Sequence, residues 1–515
     1  MSRQAKNYMR GKQGKKDNKS KRVNFDNVRD SKVEDVIKDI RETRASNDVS
    51  WYANNPELLR AAASLPFSQT TGLPLQWEGT MAGSISNIFS SVPGVMTMNW
   101  VPSIGGRFDT AVDAAKDSIY SFVVHANSRN TSYNATDLML VIVGAGQVFA
   151  MLANGIRVYG TARLYDQRNA YLPDALIRSM GFDPVDIRSN LSTIWFDLNE
   201  IIARCSQIWV PKNLPFIERW FWLNSNVYMD AESVKAQYYV FNQRNFLGYN
   251  ETLNNQGGGL SWLKDDGTFA SNGLNSIFTM NSGAKRTWAQ YKAVLNKMIS
   301  YLVDSEDRGI IMGDILKAYG QGNLYSLSPV NVDYQIQPVY DKEVLTQIEN
   351  CIPYQGLYQD ISQNQTTLKL QTNWTVPHSG AVPISVYPIE QMVLNFHQME
   401  VPSPEQIMVA TRLRPCGMTM STGGSPLSTT QIYPESIGTE YVYEIQVIFA
   451  FDNELQVTDY VTKYPVNGVV GNAAAYIQNA FDWCPWVYFL DVPDRVYNTG
   501  GVNYTKTHTA GAIGD

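Results

Sequence analysis

At 515 residues, with 44% apolar and 12% aromatic side chains, the chain is too long for one core and too apolar to remain unfolded, so it should divide into packed units. Its formal net charge is −6, but that sum hides a division. Residues 1–22 carry nine Lys or Arg against the single acid Asp17, a net +8, while the other 493 residues carry 33 basic and 47 acidic side chains, a net −14.

The cations of that leader are Arg3, Lys6, Arg10, Lys12, Lys15, Lys16, Lys19, Lys21 and Arg22. With one aromatic (Tyr8) and no apolar run, the leader buries too little surface to offset its ordering entropy and is expected to be disordered when free. It is no secretory signal, because charge rather than a 7–15-residue apolar segment follows the basic region. Ser2 excludes N-myristoylation, and the protein is expected in the cytosol. Nine flexible point charges suit phosphate backbones rather than base edges. A nuclear-localisation signal or a plain solvated leader are the other readings.

Ser31 and Glu34 form a capping-box pattern before Val33, Val36, Ile37 and Ile40, predicting a short amphipathic helix that ends near Arg44. Its apolar stripe would dock under the body or pair with a neighbouring copy. Together these stretches make a basic N-terminal arm, 1–46. Residues 47–68 combine a turn, Pro56 at a helix start, a Leu/Ala-rich turn and a Pro66 stop, and the folded body begins there. Helical spacing then dominates: Val112, Ala115, Ile119, Phe122 and Val123; 138–157; and Ile194, Leu198, Ile201, Ile202 and Cys205. The apolar run 138–153, interrupted by Gln147, is shorter than the ~20 residues that cross a bilayer and reads as a buried helix. Gly144 and Gly146 lack the third glycine of a dinucleotide fingerprint and point to close packing instead. The aromatic stretch 216–222 reads first as core and second as an interface anchor.

From 242 to 283, eight Asn, seven Gly and the Lys264-Asp265-Asp266-Gly267 turn signal predict an exposed insertion. Helix resumes with Trp288, Tyr291, Val294, Leu295, Met298 and Leu302, runs from Ile310 to Tyr319, and returns at Val344, Leu345 and Ile348. Beyond Pro353 the period becomes two: Leu368, Leu370, Thr372, Trp374 and Val376 alternate with polar neighbours, and Tyr441, Tyr443, Ile445, Val447, Phe449 and Phe451 repeat the pattern. A short helix is expected over 404–413. Helical or mixed pattern returns over 472–490 with Phe481, Trp483, Trp486, Tyr488 and Phe489. The expected fold class is therefore α+β: a mainly helical domain over 47–352 with the insertion at 242–283, a strand-rich unit over 353–461, and a C-terminal return over 462–515.

No constellation of residues supports catalysis. Cys205, Cys351, Cys416 and Cys484 form no CxxC pair and read as buried thiols, and His125, His378, His397 and His508 have no metal spacing. There is no phosphate loop, and Gly423-Gly424-Ser425 runs into Pro426 rather than completing a nucleophile elbow. Asp304, Glu306 and Asp307 end one helix and precede another, which suits capping better than cation binding. No cofactor and no metal are expected. The Asn-x-Ser/Thr sequons, such as Asn130 and Asn503, signify nothing without secretion.

The basic leader, then NDVSWYANNPELLRAAASLPFS (47–68), RGIIMGDILKAYG (308–320), PVYDKEVLTQIENC (338–351) and PEQIMVATRL (404–413), resemble in sequence and order the capsid protein of picobirnaviruses. The resemblance implies a viral capsid protein, not an enzyme, that self-assembles as symmetric dimers, sixty of them, into a small icosahedral shell around a double-stranded RNA genome. It implies a mainly helical shell domain and a protruding domain, here 353–461, in a protein found in the virion and, during assembly, in the host cytoplasm. N-terminal processing and host-membrane disruption are also implied by the family. For this chain both stay open, because no protease constellation is readable and the amphipathic candidate 31–44 is short and acid-rich. A nucleoprotein that coats RNA without closing a shell is the alternative, and an enzyme with a dispersed site is a third reading. At +8 for each leader of residues 1–22, 120 copies would supply about 960 positive charges, matching roughly 480 base pairs, so they would tether a kilobase genome rather than neutralise it.

If all nine arm cations engage phosphates, the logarithm of RNA affinity should fall against the logarithm of salt concentration with a slope of roughly −6 to −8. A filter-binding titration over salt reads this slope directly, and a flat response would remove the arm from RNA binding.

Overall fold

The computed structural model describes residues 74–75, 90–91, 95–106, 109–128, 130–164, 172–232, 236–254, 257–270, 286–352, 357–375, 394–397, 400–422, 430–451, 456–462, 481, 483, 488–490, 496–499, 502–505 and 509–511. The chain divides into 1–68 and 69–515, and every described residue falls in the second unit. The arm, the 31–44 helix and the 47–68 segment lie outside the described residues.

The described helices are α1 (Ala111–Asn127), α2 (Ala135–Ala162), α3 (Leu172–Ser179), α4 (Pro184–Ser189), α5 (Leu191–Arg204), α6 (Pro215–Ser225), α7 (Trp288–Val303), α8 (Glu306–Tyr319), α9 (Lys342–Glu349) and α10 (Pro404–Ala410). Strands β1 (Val95–Pro102), β2 (Tyr228–Met229), β3 (Tyr238–Gln243), β4 (Leu247–Asn254), β5 (Gly257–Trp262), β6 (Leu357–Gln363), β7 (Leu370–Thr375), β8 (Cys416–Thr422), β9 (Thr430–Ser436), β10 (Glu440–Phe451) and β11 (Gln456–Thr462) complete the main framework. The result is a mixed α+β fold, mostly helical, with two small sheets. Short pairs join 74–75 to 90–91, 488–490 to 509–511, and 496–499 to 502–505.

Helix α2 sits at the centre. Asn134 caps it through a capping box with Asp137, and 24 of its 28 residues are buried. An apolar run this long would suffice to cross a membrane, but here it is enclosed by α1 and α3–α8 and by strands β4, β5 and β6. The expectation of a buried helix holds, with ends beyond those read from periodicity. Its glycines serve close approach: a Cβ on Gly146 would stand 3.0 Å from Ile217 of α6, and one on Gly160 would stand 3.0 Å from the backbone nitrogen of Ile336. The Ile336 N–H donates to the Gly160 carbonyl at 3.2 Å.

The polar residues inside this helix have partners. Gln147 accepts from Gln243 of β3 at 2.7 Å, and Gln243 accepts from Asn224 of α6 at 2.9 Å. Arg157 donates to the carbonyls of Leu223 and Asn226, each at 3.0 Å, and to Asn154 at 2.9 Å, so its guanidinium closes the C-terminal end of α6. Burial lowers the Arg157 guanidinium to about 10, which leaves it charged at neutral pH.

The five-stranded sheet runs β11-β10-β1-β3-β2, antiparallel except for the parallel β1/β3 pair. Parallel pairing demands a crossover, and α1 to α6 supply it. The four-stranded sheet is the antiparallel meander β4-β5-β6-β7. Tyr358 of β6 joins the two sheets by donating to the Pro102 carbonyl at 2.6 Å, while accepting through its own carbonyl from Trp262 at 2.6 Å.

Two expectations require correction. The described part of 242–283 is no exposed insertion: β4 and β5 form sheet from it, and Leu247, Leu260, Trp262 and Leu263 are fully buried. Its glycines fit strands that lie against side chains, since a Cβ on Gly258 would collide with the Tyr249 ring and one on Gly259 with Leu253. The predicted turn is present, with the Gly267 N–H bonded to the Lys264 carbonyl at 2.8 Å. Nor do the strands of 353–461 stand apart: β6 and β7 extend a sheet begun by β4 and β5, and β10 lies against β1. Strand pairing follows edge availability, not proximity in sequence. Within β7 the predicted alternation holds for Leu370, Thr372 and Trp374, but Leu368 is an exposed turn residue at φ +57°.

Replacing Gly146 by Val should destabilise the fold by about 1–3 kcal/mol through overpacking against Ile217. Trp374→Ala, which strips a half-buried ring lying 5.5 Å from Tyr358 and 5.8 Å from Tyr441, should cost about 2–3 kcal/mol, below the range for a fully buried Trp. Thermal melts read both.

Candidate assembly surface

Glu440 opens β10, an otherwise largely apolar strand, and its carboxylate is fully buried. The interaction that permits this is a double guanidinium clamp. Arg219 of α6 donates from Nε to Glu440 Oε1 at 3.0 Å, and Arg412, just beyond α10, donates to the same oxygen at 2.6 Å and to Oε2 at 3.2 Å. The Thr439 hydroxyl donates to Oε2 at 2.8 Å. Burial pushes the carboxyl up, but Arg219 and then Arg412 outweigh it and hold Glu440 below the ordinary glutamate value. Arg219 also donates to Gln347 of α9 at 2.6 Å and lies 4.9 Å from the centre of the Trp222 ring. One carboxylate thereby joins α6, α9, β10 and the turn after α10.

The clamp floors an open cleft of about 1260 Å³ between α1, α6 and α10, whose lining includes Trp222, Met408, Arg412 and Ile437. Helix α10 forms one rim. It begins at Ser403, whose hydroxyl accepts from the Gln406 N–H while the Gln406 side chain accepts from the Ser403 N–H. Capping rather than burial holds this short helix, because Ala410 is its one buried residue. Its outer side therefore carries apolar side chains in solvent: Met408 is 76% exposed, Ile407 38%, and the preceding Val401 92%. Phe196 on α5 and Val185 on α4 are other exposed apolar groups, at 64% and 63%. Such residues lower their free energy by burial against another surface.

A second polar junction ties down the later chain. Glu349, fully buried at the end of α9, meets His397 Nε2 at 2.9 Å and accepts from Asn395. Burial raises the Glu349 carboxyl. Asn350 and Asn395 exchange two hydrogen bonds of 2.8 Å, Lys342 donates to the His397 carbonyl at 3.0 Å, and the His397 ring lies 4.0 Å from that of Trp483. Trp483 donates its backbone N–H to the Tyr239 hydroxyl at 3.1 Å, and Phe481 packs edge-on to Tyr239. Residues 481 and 483 thus return to the core.

None of these groups forms a reaction centre. Among the described residues no three His, Cys, Asp or Glu side chains cluster as metal ligands. Cys205 and Cys351 are buried thiols, and burial pushes Cys205 up to about 12. His125 is exposed on α1, while His378 and His508 lie outside the described residues. Glu306 and Asp307 occupy the first turn of α8, where acids suit the positive end of the helix dipole, and Asp304 is the C-cap residue of α7, its backbone N–H bonded to the Ser300 carbonyl. In the 216–222 stretch, Phe216, Ile217 and Trp220 are core, whereas Phe221 and Trp222 are half-buried. The RNA-binding candidates Arg3, Lys6, Arg10, Lys12, Lys15, Lys16, Lys19, Lys21 and Arg22 all lie outside the described residues. Sequence reasoning missed the clamp, although an acid heading an apolar strand was a signal that a buried cation must meet it.

The family model for the picobirnavirus capsid protein matches residues 51–483. The chain is similar to a capsid protein precursor of human picobirnavirus (strain Human/Thailand/Hy005102/-), with 25% identity over 86% of this chain and 83% of that protein. Its fold is similar to that in an X-ray crystallographic structure of the picobirnavirus capsid, with a TM-score of 0.68, 21% identity, and coverage of 90% of this chain and 93% of the other.

Glu440→Gln should destabilise the fold by about 3–5 kcal/mol by leaving two guanidiniums without their counter-charge. Because the folded-state value of Glu440 is depressed, its stabilisation is present above the ordinary glutamate range and is lost as pH falls through the lowered value. The acid limb of an unfolding curve measured against pH should therefore flatten in Glu440→Gln.

Proposed function

Because this chain belongs to the picobirnavirus capsid-protein family, and is thus a structural component of the virion shell rather than an enzyme, we propose that it assembles as symmetric dimers into a small icosahedral shell of sixty dimers enclosing double-stranded RNA. The observation that carries this reading is a family match spanning 51–483 behind a leader, residues 1–22, of net +8 with a net −14 on the rest of the chain. An isologous dimer uses one patch on both subunits and closes locally, leaving other faces to close the shell. The exposed apolar side chains of α10 and α5 are of the kind such contacts bury.

The acidic body repels RNA, so binding falls to the arm, which tethers the genome through Arg3, Lys6, Arg10, Lys12, Lys15, Lys16, Lys19, Lys21 and Arg22 without reading its sequence. Small cations neutralise the remainder. The outward projection lies within 353–461, narrowed to the stretches that the two shared sheets do not claim.

Electron microscopy of the purified chain tests the assembly. Uniform spherical particles are the expected outcome, and filaments or beads would favour a nucleoprotein that coats RNA. Deleting residues 1–22 should leave particles intact and remove most co-purifying RNA, measured by absorbance ratio and gel. Unchanged RNA content would transfer packaging to the folded body.

A further inference from the structure

Helix α8 presents a face that none of the described residues covers. Glu306, Gly309, Ile310, Gly313 and Lys317 recur at helical spacing on one stripe, and all are exposed. A Cβ on Gly309 or Gly313 would meet no atom within 4 Å, so neither glycine serves packing among the described residues. Glycine within an exposed helix weakens it, and two in one turn keep the face flat around Ile310, an exposed aliphatic side chain. Acid stands at one end of the stripe and a lysine at the other, about 16 Å apart at 1.5 Å per residue, too far to pair within one helix.

We propose that this face is a two-fold contact in which α8 packs antiparallel against α8 of a second copy of the chain. The two-fold operation carries Ile310 of each helix onto Gly313 of the other and sets each Glu306 against the partner's Lys317. The stripe is self-complementary in shape and charge, as an isologous contact demands. The glycines let the two backbones approach toward the short end of the usual 8–10 Å axis spacing. One helix pair buries less than the roughly 1,200 Å² of a stable interface, so α8 forms part of a larger contact. This inference rests on the assembly reading above and adds to it a surface and a register.

The test uses full-length chain. Gly313→Gln should weaken dimerisation at least about tenfold by sedimentation velocity and reduce particle yield, because it places a side chain where the partner's Ile310 must sit. Its melting temperature should be unchanged or higher, since Gln is the better helix former. Glu306→Lys and Lys317→Glu should each weaken dimerisation, and combining them should restore it. A helix-dipole effect predicts the opposite, because the two reversals would then add. Wild-type dimerisation by Gly313→Gln, or a double reversal no better than the singles, overturns the α8 contact while leaving assembly standing. A wild-type chain that forms neither dimers nor particles overturns both.

Discussion

The burial of α2 on all sides is the constraint from which the remaining architecture follows. A helix with 24 of 28 residues buried satisfies its own backbone but leaves an apolar cylinder that must be covered along its whole circumference. Among the described elements, helices α1 and α3–α8 and strands β4, β5 and β6 pack on it. Where they press closest, as α6 does at Gly146, the absence of a Cβ sets the separation. The polar residues that interrupt its surface act as registers: Gln147 positions β3 through Gln243, and Arg157 holds the end of α6. These bonds to particular neighbours give a non-directional apolar contact a definite alignment.

The sheets carry the second level of organisation. Strand β1 is flanked by β3 and β10, which come from far later in the chain, and β5 is extended by β6. Early strand β1 and late strands β6 and β10 are thus paired with strands from the middle of the chain or with each other. The Glu440 clamp and the Glu349 junction stand where these late segments meet α6 and α9, and in each a buried carboxylate is answered by cations or amides from separate elements. Breaking either would expose an uncompensated charge, so these points tie late strands to the helical body more firmly than surface ion pairs could.

For a shell protein this division has a consequence. The helical body encloses its central helix, and its outer helices carry side chains that serve no contact among the described residues. Helices α10, α5 and α8 do so in different ways: Met408 and Phe196 project apolar bulk, whereas Gly309 and Gly313 remove it. Knobs and flat faces on one subunit are what copies of a single chain need in order to pack against one another.

The sequence by itself determined the charge separation between arm and body, the class of the fold, and the helices whose one buried face imposes a 3.6-residue period. The residues Ile194, Leu198, Ile201 and Ile202, or Trp288, Tyr291, Val294 and Leu295, announce their helices because burial on one side leaves a local pattern. Tertiary structure alone decided the rest. All eight residues of β1 and all six of β3 are buried, so no alternation marks them, and their rows of apolar and amide side chains resemble no strand in isolation. The Asn and Gly of 242–262 looked like loop because composition cannot distinguish a glycine that bends from one that lets Tyr249 lie across its strand. The pairing of β1 with β10, and the meeting of Arg219 and Arg412 on Glu440, depend on which edges and charges come together when α2 is enclosed, and no local window of residues contains that information.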